Sequence, residues 1–180
     1  NLQQFRVNSL NVQLSDVTIC NPDTIQINPQ INTGAYSYLW TPNYNITNNT
    51  NSSPLFFPDS TTLYSLEITN VYGCSFVDSM TIFVNTPTSN TNNISACDSY
   101  NWSINGTTYD TSGTYINIST NASGCTHIDS LNLIINNSSY TSDELTACDS
   151  YTWLINDTTY YTSGTYVNTN TNSSGCIHTD

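Results

Sequence analysis

The sequence predicts an all-β chain of small sandwich modules set in tandem, and three observations carry that expectation. Ala96-Cys97-Asp98-Ser99-Tyr100 through Gly124-Cys125-Thr126-His127-Ile128-Asp129 returns 51 positions later as Ala147-Cys148-Asp149-Ser150-Tyr151 through Gly175-Cys176-Ile177-His178-Thr179-Asp180, with 24 of 34 aligned positions identical. A fixed period of this fidelity marks a tandem array in which each copy is one supersecondary unit. Apolar residues alternate with polar ones along short runs bounded by Gly, Asn and Pro, and nothing reads as helix. Cysteines recur with the repeat, as expected where cores are too small to hold alone.

The elements follow in order. Ser9-Leu10-Asn11-Val12-Gln13-Leu14 reads like Ser130-Leu131-Asn132-Leu133-Ile134-Ile135, so residues 1–15 are expected to be the closing strand of a preceding module. Tyr36 to Trp40 is a strand, and the polar, turn-rich run from Asn43 to Pro54 is a loop. Thr62 to Thr69 places Tyr64, Leu66 and Ile68 on one face, and Ser79 to Val84 does the same with Met80, Ile82 and Val84. Asn70-Val71-Tyr72-Gly73-Cys74 joins them as a hairpin. Short strands around one buried tryptophan, Trp40, predict a sandwich of immunoglobulin type over residues 16–86.

Residues 87–137 form the first short repeat and 138–180 the second, which stops before its last strand. Each reads as a meander: Tyr100 to Ile104, a turn at Asn105-Gly106, Thr107 to Asp110, a turn at Ser112-Gly113, then Thr114 to Ile118, with Cys125 opening the final strand. Trp102 and Trp153 are the expected core residues of the two copies. Thr86 to Asn93 and Asn136 to Asp143 read as connections.

Six cysteines allow fifteen pairings, which translational symmetry thins. Cys97 and Cys125 recur as Cys148 and Cys176, so each pair is expected to close within its own copy, leaving Cys20 for Cys74. Zinc is disfavoured, because no Cys-x-x-Cys spacing occurs and each copy offers two Cys and one His against the four ligands required. Disulfides imply an oxidising, extracellular setting.

Composition excludes several functions. Arg6 is the only Lys or Arg against 13 acids, a formal charge of -12, so binding to phosphate backbones by counterion release has no cations to run on. Nucleic acid and anionic membrane surfaces drop out as partners. No run reaches the roughly 18 apolar residues of a membrane span, so no membrane insertion is expected.

Candidate chemistry is sparse. His127 and Asp129, repeated as His178 and Asp180, share a strand face and could ligate a metal or titrate near neutrality, but two groups do not complete a coordination shell. Asp98, Asp110 and Asp149 are the carboxylates open to calcium, yet no Asp-x-Asp-x-Asp loop accompanies them, so no cofactor is expected. Catalysis has no general base outside a repeat-borne histidine, and an enzyme is not expected. Tyr100, Tyr109, Tyr115, Tyr151, Tyr160, Tyr161 and Tyr166 serve either as a sticky aromatic face or as cross-strand pairs.

The run Ala-Cys-Asp-Ser-Tyr-x-Trp, then Thr-Tyr, Ser-Gly-Thr-Tyr and Gly-Cys resembles tandem repeats of very large secreted surface proteins of Bacteroidota. Residues 16–86, with Leu39-Trp40-Thr41-Pro42, Tyr64-Ser65-Leu66 and Tyr72-Gly73-Cys74, resemble the PKD-like or immunoglobulin-like modules that accompany them. The resemblance implies export by type IX secretion and use in a gliding-type adhesin or an extracellular filament. It also implies O-glycosylation at the Asp-Ser/Thr-apolar positions Thr24, Ser79 and Ser130. The expected role is a structural stalk or spacer at the cell surface, its partners further modules of the same chain or identical chains in a filament. Two alternatives stand beside it: a module binding surface glycans, and an accessory segment of a secreted multidomain enzyme.

Overall fold

The computed structural model describes residues 10–32 and 37–180, in which strands and turns alternate and no helix occurs among the described residues. They gather into two compact units, one of residues up to Thr88 with Ser119–His127, the other of Ser89–Ile118 with Ile128–Asp180.

In the first unit the strands are β1 (Val12–Gln13), β2 (Val17–Cys20), β3 (Ile25–Gln26), β4 (Gln30–Ile31), β5 (Ser37–Thr41), β6 (Leu55–Phe56), β7 (Thr62–Thr69) and β8 (Ser75–Asn85). Four of them form a sheet in the order β2-β8-β7-β5, with β2 parallel to β8 and the other pairs antiparallel. Two short antiparallel pairs, β1-β4 and β3-β6, supply the second layer, and residues of both layers share one core. This is a β-sandwich of immunoglobulin type. The expected alternation holds along β7, where Tyr64, Leu66 and Ile68 are fully buried, and along β8, where Met80 and Ile82 are. The expected closing strand over 1–15 falls partly on residues 1–9, outside the described residues; Val12 is buried in this unit's own core.

Trp40 is at the centre of that core, edge-on to Phe56 at 5.0 Å, which in turn meets Tyr64 at 4.8 Å. Buried aromatic donors need partners, and the polar loop provides them. Trp40 Nε1 donates to the Asn51 carbonyl (3.0 Å) and the Tyr64 hydroxyl to the Tyr44 carbonyl (2.7 Å). Burial pushes the Tyr64 hydroxyl up to about 12 from an ordinary 10.0, helped by the Tyr44 and Asp59 charges. The folded state therefore holds this proton more tightly than the unfolded one, so its contribution is present below pH 10 and is lost as pH rises toward 12. Unfolding followed against pH should show the first unit weakening across that window, and Tyr64→Phe should flatten the dependence.

Ten further strands follow: β9 (Thr88–Cys97), β10 (Tyr100–Trp102), β11 (Thr107–Tyr109), β12 (Gly113–Thr120), β13 (Thr126–Asn136), β14 (Ser139–Tyr140), β15 (Tyr151–Trp153), β16 (Thr158–Tyr160), β17 (Thr169–Thr171) and β18 (Ile177–Thr179). They make one arrangement twice. A three-stranded sheet β12-β13-β9 with the hairpin β10-β11 returns as β17-β18-β14 with β15-β16. Gly106 turns the first hairpin at φ 69°, and Asp157 occupies the same left-handed region at φ 53° in the second.

Two expectations are corrected here. Thr86 to Asn93 is no mere connection, because its residues from Thr88 onward belong to the ten-residue strand β9, and Ser139–Tyr140 likewise pairs parallel with β18. Nor are the copies equally packed around their tryptophans. Trp102 is buried with Leu131 and Leu133, whereas Trp153 is half-buried. The tyrosines form cross-strand pairs and stacks: Tyr100 opposes Tyr109, Tyr109 stacks on Tyr115 at 3.7 Å, and Tyr160 stacks on Tyr166 at the same distance.

Candidate functional site at the cysteine turns

One five-residue turn occurs three times, as Asn70-Val71-Tyr72-Gly73-Cys74, Asn121-Ala122-Ser123-Gly124-Cys125 and Asn172-Ser173-Ser174-Gly175-Cys176. In each, the asparagine side-chain oxygen accepts from the N–H groups two and four residues on, the last being the cysteine's own at 2.9 to 3.0 Å. Each glycine sits at φ 81° or 82°, where a Cβ is strained. The asparagine and glycine thus hold the cysteine at the hairpin tip in one fixed pose.

The disulfides join these tips to cysteines at the ends of strands. Cys20 bonds Cys125 and Cys97 bonds Cys176, with Cα atoms 5.7 and 5.6 Å apart. Cys74 and Cys148 are free and exposed. The expected pairings Cys20–Cys74, Cys97–Cys125 and Cys148–Cys176 are therefore corrected, and with them one disulfide closed within each module. Strand direction is the reason. Cys20 lies opposite Asn85 at one end of β8, while Cys74 precedes Ser75 at the other. Eleven residues at about 3.3 Å each separate the two by roughly 35 Å. A disulfide needs Cα atoms within about 7 Å. The same holds for β13: Asp98 N donates to the Asn136 carbonyl at its far end, whereas Cys125 precedes Thr126 at its start. Only a turn from the next copy in the chain reaches the strand-end cysteine.

Each bond sits in a hydrogen-bonded joint that repeats with the sequence. Beside Cys20–Cys125, Asn85 Nδ2 donates to the Ser123 carbonyl (2.8 Å), Asn121 Nδ2 donates to the Thr86 carbonyl (3.0 Å), and His127 Nδ1 lies 2.7 Å from Thr88 Oγ1. Beside Cys97–Cys176, Asn136 Nδ2 donates to the Ser174 carbonyl (3.4 Å), Asn172 Nδ2 to the Asn137 carbonyl (3.0 Å), and His178 Nδ1 lies 2.7 Å from Ser139 Oγ. Asp98 adds an anchor, accepting from the Ser138 N–H (2.8 Å) and hydroxyl (2.7 Å). Those two bonds hold its carboxyl below the ordinary carboxylate range, the backbone donor most of all. Asp180 is likewise lowered, first by the Thr141 hydroxyl and further by His178, whose Nε2 is 3.0 Å from it.

The repeated histidines thus have work in these joints, where His127 and His178 meet a hydroxyl rather than a ligand shell. No group of three or more His, Cys, Asp or Glu able to hold a metal ion occurs among the described residues. Asp129 is buried. Of the residues expected to carry glycans, Thr24 and Ser79 are exposed and Ser130 is half-buried. Reading the sequence missed the turn asparagines Asn121 and Asn172 and their counterparts Asn85 and Asn136. The signal was present, since Asn-x-x-Gly-Cys stands in the chain three times.

No family model matches this chain, and no curated protein does. Similar solved structures include a PKD domain from the KIAA 1837 protein, at 16% identity over 46% of this chain and 93% of that one, TM-score 0.38. A second is the SGBP-B protein of a Bacteroides ovatus mixed-linkage glucan utilization locus in complex with a heptasaccharide, at 12% identity over 76% of this chain, TM-score 0.35. A third is the insect immune protein hemolin, at 14% identity over 70% of this chain, TM-score 0.38. The matched region spans about half the length of these last two, 50% and 46%. The two disulfides fit an oxidising compartment.

Proposed function

We propose that this chain is a structural spacer segment of an extracellular surface protein or filament. The observation that carries the reading is the placement of the disulfides: each ties a strand end to the turn of a following copy, so the covalent bonds sit where one element hands tension to the next. A domain whose only task was to present a binding loop gains little from bonds at those places. The near absence of charge other than acidic, with Asn, Thr and Ser keeping the surface wet, suits material that persists outside the cell without adhering to polyanions.

The two loops overlap, because Cys97 lies inside the loop closed by Cys20 and Cys125. Pulled from its ends, the oxidised chain carries load between Cys20 and Cys176 through only the 28 residues from 97 to 125. At about 3.5 Å per residue those extend by roughly 100 Å, against roughly 550 Å for the 156 residues freed by reduction. Single-molecule pulling with and without reductant measures this contrast. Equal extension in both states sinks the spacer reading, as does saturable binding of a soluble glycan by the unloaded chain.

A further inference from the structure

The two histidine joints hold a nucleophile, a base and an electrophile within reach of one another. In the second, Ser139 Oγ lies 2.7 Å from His178 Nδ1, and His178 Nε2 lies 3.0 Å from Asp180 Oδ1. A carboxylate only accepts, so Nε2 carries the ring proton and Nδ1 is the acceptor for the hydroxyl's. This is the arrangement that activates a serine. Asn172 Nδ2 donates to Ser139 Oγ (3.3 Å), which puts the amide carbon one bond further on, and the amide oxygen accepts from the Ser174 and Cys176 N–H groups, both at 3.0 Å. Two backbone donors at that distance on a carbonyl oxygen form an oxyanion hole.

The first joint repeats the set. Thr88 Oγ1 lies 2.7 Å from His127 Nδ1 and 3.3 Å from Asn121 Nδ2, while Asn121 Oδ1 accepts from Ser123 N (3.0 Å) and Cys125 N (2.9 Å). Asp129 keeps the sequence place of Asp180. The third turn differs: Asn70 has both backbone donors, but Phe76 stands where the other two turns have histidine.

We propose that these two joints close covalently by a self-catalysed reaction that forms an ester from Thr88 to Asn121 and another from Ser139 to Asn172. The hydroxyl swings out of the amide plane and over Cγ, giving its proton to histidine Nδ1 as the oxygen–carbon bond forms. Charge building on Oδ1 falls to the two backbone N–H groups. Histidine then passes the proton to Nδ2, the carbon–nitrogen bond breaks and ammonia leaves. One hydroxyl and one primary amide become one ester and one ammonia, with no change of oxidation state. The inference goes beyond the spacer reading, because an ester beside each disulfide keeps the joint shut when the sulfur bond is reduced. The reduced extension of the reacted chain therefore falls short of that of the unreacted one, while still exceeding the oxidised extension.

The experiment ages the whole oxidised chain in neutral buffer and follows its intact mass, with peptic peptides sequenced by mass spectrometry. The expected result is a mass lower by two ammonias than the disulfide-bonded sequence requires, with peptides linked Thr88 to Asn121 and Ser139 to Asn172 and none linked at Asn70. Hydroxylamine, which cleaves esters, should release both links and leave hydroxamates on Asn121 and Asn172. His178→Ala should slow its own link by about 100-fold or more, the contribution of a positioned base. In that variant the Thr88 link forms as before, and an intact Cys97–Cys176 bond shows that the joint has folded. Ser139→Thr, which keeps the hydroxyl, should still form the second link. A chain that keeps its full mass, amides hydrolysed to Asp without a link, or links that form as fast without the histidines would each overturn the proposal. A chain of full mass that is short when oxidised and long when reduced leaves the spacer reading standing.

Discussion

Replacing Cys20 and Cys125 together by serine should destabilise the first unit by about 4 to 5 kcal/mol in the chain-entropy account, because the bond closes a loop of sequence separation 105. That is much of what a domain this small has in reserve. Denaturant unfolding of the double variant against the parent chain measures it. Cys74→Ser is the paired control: its thiol is free and exposed, so its substitution should leave stability within about 0.5 kcal/mol of the parent. Equal, large losses from Cys74→Ser and Cys20→Ser would restore the pairing within one module and dismiss the bond to Cys125.

Trp40→Ala ranks beside it, with an expected loss of about 3 to 5 kcal/mol. The indole is fully buried, supports Phe56 and through it Tyr64, and ties the loop down through its bond to the Asn51 carbonyl. Truncation opens a cavity and frees that carbonyl at once. Trp153→Ala, at a half-buried site, should cost clearly less, and the ranking of the two by chemical unfolding is the measurement. A Trp40→Ala chain within about 1 kcal/mol of its parent would show that the core collapses around the gap.

The strands that alternate were legible because one face is core and the other water. Tyr64, Leu66 and Ile68 announce β7 in residue types alone, and Gly73 announces the turn that follows. Strand β9 was not legible. Its first residues, Thr88-Ser89-Asn90-Thr91-Asn92-Asn93, are all polar and exposed, and they are extended because β13 offers a backbone ladder, which leaves no trace in side-chain chemistry. The same silence hides which cysteines pair. Translational symmetry permits Cys97 to meet Cys125 or Cys176 equally well, since both choices repeat every 51 residues; only the direction of β9 along β13 decides between them. The strand-end asparagines Asn85 and Asn136 share this fate, because one Asn among 27 outside the repeated turn motif does not declare what it donates to.

The interlocking of the two sulfur loops bears on survival as well as on strength. A protease that severs one peptide bond between residues 20 and 97 leaves the halves tied by Cys20–Cys125, and a cut between 125 and 176 leaves them tied by Cys97–Cys176. A cut in the shared segment leaves both ties in place. No single nick across that span can part the chain, so damage must strike twice before anything is shed.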